Sequence, residues 1–359
     1  MMTTFPVFDG HNDTVLHLIM TERGQGRSFF ERSEVGHIDL PRAQEGNFAG
    51  GFFAMFVPNP KQEQDALMKK FQADPDKAPL PPMLKLDYAQ QQAHKMMRTL
   101  FDVEAQSEGA VKITRTVDEI AQCIDDGTLA MILHFEGAEP IDTDLDALEV
   151  FYQAGLRSLG LVWSRPNAFA TGVPFAFPAS PDIGDGLTDA GVALVKACNE
   201  MGIMIDLSHL NEKGFWDVAK HSDAPLVATH SNVHAISATP RNLTDKQLDA
   251  IAERKGMVGL NFATGFLRPD GGKGLSAEER KDTPLSVMVQ HIDYLVERIG
   301  IDCVGLGSDF DGAGIPKEIG DVTGLPNLIS ALQDAGYDDD ALNKITHQNW
   351  LRLLRATWK

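Results

Sequence analysis

Six side chains in this 359-residue sequence carry donors that can hold metal ions: His11, Asp13, Glu136, His209, His230 and Asp309. Each stands at or just past the C-terminal end of a short apolar run. Imidazole nitrogen mixed with carboxylate oxygen suits zinc first, then manganese, cobalt or iron. In Asp9-Gly-His-Asn-Asp13, the alternation of a strand sends His11 and Asp13 to one side and Asn12 to the other. Such a His-x-Asp pair can grip one ion. A lone histidine at a strand end is ordinarily just a hydrogen-bonded residue. Here Ser208-His209-Leu210 and Thr229-His230-Ser231 repeat one pattern on consecutive runs, alongside His11-x-Asp13 and Glu136. Buried together without a cation, these carboxylates would repel one another and their pKa values would climb. A single catalytic zinc uses three protein ligands plus water, so six candidates fit a pair of ions with a glutamate between them.

Competing motifs are absent: there is no HExxH, no Walker loop and no G-x-S-x-G elbow. Gly305-Leu-Gly-Ser-Asp-Phe310 starts like a dinucleotide fingerprint but has Phe310 where the third glycine belongs. Asp309-x-Asp311-Gly312 lacks the later glutamate of a calcium loop. His17, His94, His221, His291 and His347 fall on helical patterns and are read as solvated or locally bonded. His134, two before Glu136, is read as a packed core histidine, and His234 as lying outside the ligand set.

The elements that must position these groups are eight apolar, β-branched runs, near residues 5–11, 49–57, 129–135, 157–163, 202–208, 225–229, 256–262 and 302–308. Most are apolar throughout, as in Ala130-Met-Ile-Leu-His-Phe135, which predicts parallel strands covered on both faces. Helical patterns lie between most of them. Residues 86–107 place Ala89, Ala93, Met97, Leu100 and Val103 on one face, and Thr188 can cap a helix over 187–201. The expected fold is α/β, a closed (β/α)8 TIM barrel over residues 1–359, whose chemistry gathers at the C-terminal strand ends. The Pro-rich stretch Pro58 to Pro82 reads as an excursion after the second strand.

Composition narrows the partners. With 43% hydrophobic and 23% charged residues the chain is globular, and it is long enough to bury about 75% of its unfolded surface. A net charge of −19 disfavours nucleic acid and anionic lipid. Three distant cysteines offer no disulfide framework, and Met1 to Phe8 carries no signal-peptide pattern. No apolar run approaches a membrane span. A soluble, cytoplasmic protein is expected.

Taken in order, Phe8-Asp-Gly-His-Asn-Asp13, Glu136-Gly137, Gly186-Leu-Thr-Asp-Ala-Gly191, Ile205-Asp-Leu-Ser-His209, Thr229-His-Ser231, Arg241-Asn242 and Gly307-Ser-Asp-Phe-Asp-Gly312 resemble the membrane (renal) dipeptidases, zinc peptidases among the amidohydrolase-like barrels. The resemblance covers nearly the whole chain. It implies that His11, Asp13 and Glu136 hold one Zn2+, that Glu136 bridges, and that His209 and His230 hold a second. It also implies that Arg241 binds the substrate carboxylate and Asp309 handles the proton. A dipeptide substrate and, as in many members, a homodimer are the corresponding expectations. Two divalent ions can bring the pKa of a shared water to ~7, so that hydroxide attacks the amide. Trp163 stands where the renal enzymes carry a substrate-contacting histidine, and Ala263 replaces a tyrosine. Trp163 is therefore taken as a substrate-binding wall of altered specificity. The segments Ser164–Leu187 and Ala263–Thr283 are candidate lids. Alternatives are an amidohydrolase acting on a cyclic amide, lactam or N-acyl amino acid, and a non-catalytic metal-binding scaffold.

Overall fold

In the computed structural model, residues 5–20, 26–61, 63 and 80–359 are described. All eight apolar runs are strands: β1 (Val7–Asn12), β2 (Phe48–Phe56), β4 (Leu129–Glu136), β5 (Leu156–Gly160), β6 (Met204–Asp206), β7 (Val227–Ala228), β8 (Met257–Leu260) and β9 (Val304–Leu306). A further short strand, β3 (Val111–Ile113), was not anticipated. The eight pair in parallel in the order β1-β2-β4-β5-β6-β7-β8-β9. The circle is joined by a parallel bridge between Asn12 and Phe310, with the amides of Asp13 and Asp309 donating to the carbonyls of Phe310 (2.8 Å) and His11 (3.0 Å). The result is a (β/α)8 barrel. Most of the Pro58–Pro82 segment lies outside the described residues.

Every residue of β4 is buried, as expected of an apolar strand covered on both faces. Its N-terminal half, Leu129–Met131, pairs with β3 and its C-terminal half, Leu133–Glu136, with β5. β3 therefore completes an edge that β5 is too short to reach. The helix Leu86–Gln106 buries Ala89, Ala93, Met97, Leu100 and Val103, the stripe expected from spacing. The helix Asp189–Met201 is capped by Thr188, whose side chain accepts the Gly191 amide at 3.0 Å. Among the described residues, no helix is long and apolar enough to cross a membrane.

The N-terminal half of the barrel is filled by Phe8, Phe52, Ile132, Met204 and Met257, and by Trp350 of the C-terminal helix Asn349–Thr357. The Trp350 indole donates to the Leu306 carbonyl at 3.1 Å. A Cβ at Gly10 would lie 2.5 Å from its ring, and one at Gly305 2.9 Å, so glycine at these strand positions makes room for the plug. With one end sealed by an aromatic, the polar residues collect at the other.

Candidate metal centre

The six candidate ligands and Arg241 converge at the C-terminal mouth, all of them buried. Strand alternation acts as anticipated on β1: Asn12 turns away to donate to the Phe52 carbonyl (3.2 Å), while His11 Nε2 and Asp13 Oδ2 face each other at 3.5 Å. Glu136, the last residue of β4, splits its oxygens. Oε2 lies 3.8 Å from His11 Nε2, whereas Oε1 lies 2.9 Å from His209 Nε2 and 3.7 Å from His230 Nε2. His209 Nε2 and His230 Nε2 are 3.1 Å apart. Asp309 gathers with His11 and Asp13, one donor atom of each lying within 4.8 Å of the others. His209 and Asp309 hold left-handed backbone conformations, φ 68° and 59°, that non-glycine residues seldom adopt. Both sit where the chain leaves a strand and must turn sharply to aim a side chain inward.

Hydrogen bonds fix which nitrogens face the centre. Thr229 Oγ1 donates to Asp206 Oδ2 (2.6 Å) and so accepts from His230 Nδ1–H (2.8 Å). His209 Nδ1 is engaged by Ser164 Oγ at 2.8 Å. Both rings are thereby held with Nε2 toward Glu136, the arrangement that metal-binding histidines need. Asn261, fully buried, donates to Asp309 Oδ2 at 2.9 Å. Arg241 donates to the His230 carbonyl at 3.1 Å, and its Nε has no partner. Asp206, Thr229, Ser164 and Asn261 were not singled out from sequence. Asp206 and Asn261 left a signal, each being a polar residue at the end of an apolar run.

The electrostatics of this donor set ask for positive charge. Burial alone would push the His11 imidazole down, yet Glu136, Asp13 and Asp309 carry it up to about 10. Glu136 is raised well above its usual value by burial and by Asp13, and Asp309 rises to about 6 through burial and Asp13, against the opposing pull of His11. His209 and His230 are driven well down by burial and nearby cations, which keeps them in the neutral form that metals bind. Fully buried His11 has no hydrogen-bond partner on either ring nitrogen. A buried imidazole without a partner, ringed by acids, fits a cation in place of the proton.

The remaining histidines lie elsewhere. His134 packs under His11 with ring centroids 5.5 Å apart, bonds Ser158 Oγ at 2.8 Å, and is held at about 3 by burial. It can also share a point with His11 and Asp206. The Asp206 oxygens, however, are already taken by the amides of Ser208 and Thr229 and by the Thr229 hydroxyl. His291, expected to be solvated or locally bonded, is instead fully buried and bonded across the fold, donating to the Leu267 carbonyl at 2.9 Å and accepting from the Val233 amide, because its helix packs that face inward; His234 reaches the Ala179 carbonyl.

Above the donors lies a cavity of about 120 Å³, walled by Phe56, Trp163, Phe175 and Phe266. The last two come from the candidate lids after β5 and β8, and their rings stack at 6.0 Å. The Arg241 guanidinium carbon sits 5.3 Å from the Phe266 ring centroid.

Residues 1–359 match the family profile described as membrane dipeptidase, peptidase family M19. The chain belongs to that family. A metallo peptidase from Rhodobacter sphaeroides, crystallised with a phosphinate mimic of the dipeptide L-Ala-D-Ala, is 52% identical with a TM-score of 0.92, the match covering 99% of this chain and 100% of that one. A second solved structure, the M19 metallo peptidase named dipeptidase AC, gives the same identity and TM-score over 99% of both chains. A Klebsiella pneumoniae protein described as "Uncharacterized protein in pqqA 5'region" is 49% identical over 255 residues, 71% of this chain and 92% of its own. This M19 chain is an enzyme, a metallo-dipeptidase by family.

Proposed function

We propose that the chain hydrolyses dipeptides at a centre of two zinc ions, one held by His11, Asp13 and Glu136, the other by Glu136, His209 and His230. The observation that carries this assignment is the division of Glu136, one oxygen toward His11 and the other toward His209 and His230. That is the posture of a bridging carboxylate. When bound, the ions bring the pKa of a water to ~7 and polarise the scissile carbonyl.

The protein's own groups do the rest. Arg241 offers a planar fork to the substrate's terminal carboxylate. Its unpartnered Nε supplies a donor not otherwise spent. Asp309 takes a proton from the attacking water and returns it to the leaving nitrogen. Because Asn261 occupies Oδ2, Oδ1 is the atom that receives it. The aromatic walls exclude bulk water, and 120 Å³ is small beside the roughly 300 Å³ at which drug-sized pockets begin, which favours short substrates with small side chains. The relative that binds an L-Ala-D-Ala mimic supports testing D-residues at the second position. The described cysteines are all free and buried, which suits the reducing cytoplasm. The test is a panel of Xaa-Xaa dipeptides with L- or D-residues at the second position, followed by chromatography at neutral pH. Release of free amino acids from small members is expected, and no turnover with zinc, cobalt or manganese supplied would refute the assignment.

A further inference from the structure

One buried charge pair lies next to the pocket without lining it. Arg165 is fully buried and does not line the cavity, its guanidinium reaching instead into two separate segments. Nε donates to Glu139 Oε1 at 2.7 Å, Nη1 to Asn59 Oδ1 at 2.8 Å, and Nη2 to the Val57 carbonyl. These partners follow β2 and β4, and Arg165 itself follows β5. Its central carbon sits 5.0 Å from the Trp163 ring centroid and 5.2 Å from that of Phe56. The two rings are 4.8 Å apart, and both line the cavity.

Burying such a pair is a poor way to gain stability, since desolvation offsets the attraction, and well-packed apolar side chains often serve as well. What the pair does supply is direction. A planar guanidinium anchored at three points on two segments holds two aromatic faces by cation–π contact in a way that lysine or an apolar residue cannot. Gly137 makes room for it: a Cβ there would lie 2.1 Å from Glu139 Oε2.

The rings form a continuous arc, Phe56 to Trp163 at 4.8 Å, Trp163 to Phe175 at 5.5 Å and Phe175 to Phe266 at 6.0 Å, with Arg241 against the last. A dipeptide whose carboxylate meets Arg241 therefore places its N-terminal side chain toward Phe56 and Trp163. We infer that Arg165, held by Glu139, Asn59 and Val57, is a positioning residue that fixes the Trp163–Phe56 wall and so sets the size limit on the substrate's N-terminal side chain. This rests on the dipeptidase assignment above.

The test compares kcat/KM for L-Ala-D-Ala and L-Leu-D-Ala in the metal-loaded full-length protein. The unmodified enzyme should prefer the smaller substrate. Arg165→Met should shrink that preference about tenfold, mainly through KM, while metal content and kcat for L-Ala-D-Ala change no more than about threefold. In a Trp163→Ala background the same change should add nothing, because the two residues act as one unit. An unchanged preference, a full extra effect in the Trp163→Ala background, or parallel loss of both activities together with metal would each overturn the proposal. If Arg165→Met does not fold, Asn59→Ala removes one tether and should move the preference in the same direction by a smaller factor; no movement there is equally fatal. Failure of the unmodified enzyme to cleave either peptide would instead overturn the dipeptidase assignment, and this inference with it.

Discussion

At the scale of single residues, the proposed chemistry divides cleanly between groups that hold metal and groups that handle substrate. Asp309 belongs to the second set, so Asp309→Asn should retain the metal complement while kcat falls about a hundredfold or more, read by steady-state kinetics beside metal analysis. Turnover at the original rate would remove Asp309 from proton transfer. Arg241 is argued to meet the substrate carboxylate alone. Arg241→Ala should therefore raise KM at least about tenfold for a dipeptide acid and leave hydrolysis of the matching dipeptide amide nearly unchanged. Equal losses on both substrates would assign Arg241 a structural part. The convergence of the candidate ligands was legible in sequence because each member stands at the end of an apolar run, where one strand rule places it. Its supports were not. Thr229 and Asp206 are 23 residues apart, and Arg165 reaches Val57 across 108. Such pairings exist only once the barrel closes.

At the scale of elements, strands deliver the ligands and the turns after them aim the side chains. The eight strands were readable because full burial leaves uninterrupted apolar runs. Their ends were less so, since β7 has only Val227 and Ala228 in strand conformation before Thr229 and His230 turn to their polar partners. β3 escaped notice because three residues carry too little periodicity to stand out. The turn after β9 is tightly packed: a Cβ at Gly312 would lie 2.1 Å from Asp13 Oδ2 and 2.3 Å from Asp309 Oδ1. Gly312→Ala should thus displace both carboxylates and lower metal occupancy and kcat together, with only a small change in thermal midpoint. Full metal content and activity in that variant would show the turn to be far more yielding than its contacts suggest.

Across the whole molecule, a net charge of −19 is spread over a barrel whose densest buried charge lies at one mouth. Stability away from that mouth should still depend on pH through His291. Burial holds its imidazole at about 4 against an ordinary 6.5, with Nε2–H donated to Leu267 and Nδ1 accepting from Val233. Above pH 6.5 the ring is neutral in folded and unfolded chains alike, and its contribution is complete. As pH falls from 6.5 toward 4 the unfolded chain takes up a proton that the folded one refuses, so stability drops, by about 3 kcal/mol across the window. Denaturant midpoints measured from pH 7 to 4 should fall less steeply for His291→Gln, which can keep both hydrogen bonds, than for the unmodified protein. Parallel curves would mean that His291 is not held neutral.

The central claim, that imidazoles and carboxylates from four strand ends cage a pair of cations, is tested most directly by counting metal per chain by elemental mass spectrometry while titrating chelator against activity. Two equivalents of divalent ion, lost in step with dipeptide hydrolysis and restored with it by zinc, are the predicted result. A protein that cleaves dipeptides at full rate with no bound metal, or that binds none under any loading condition, would contradict it.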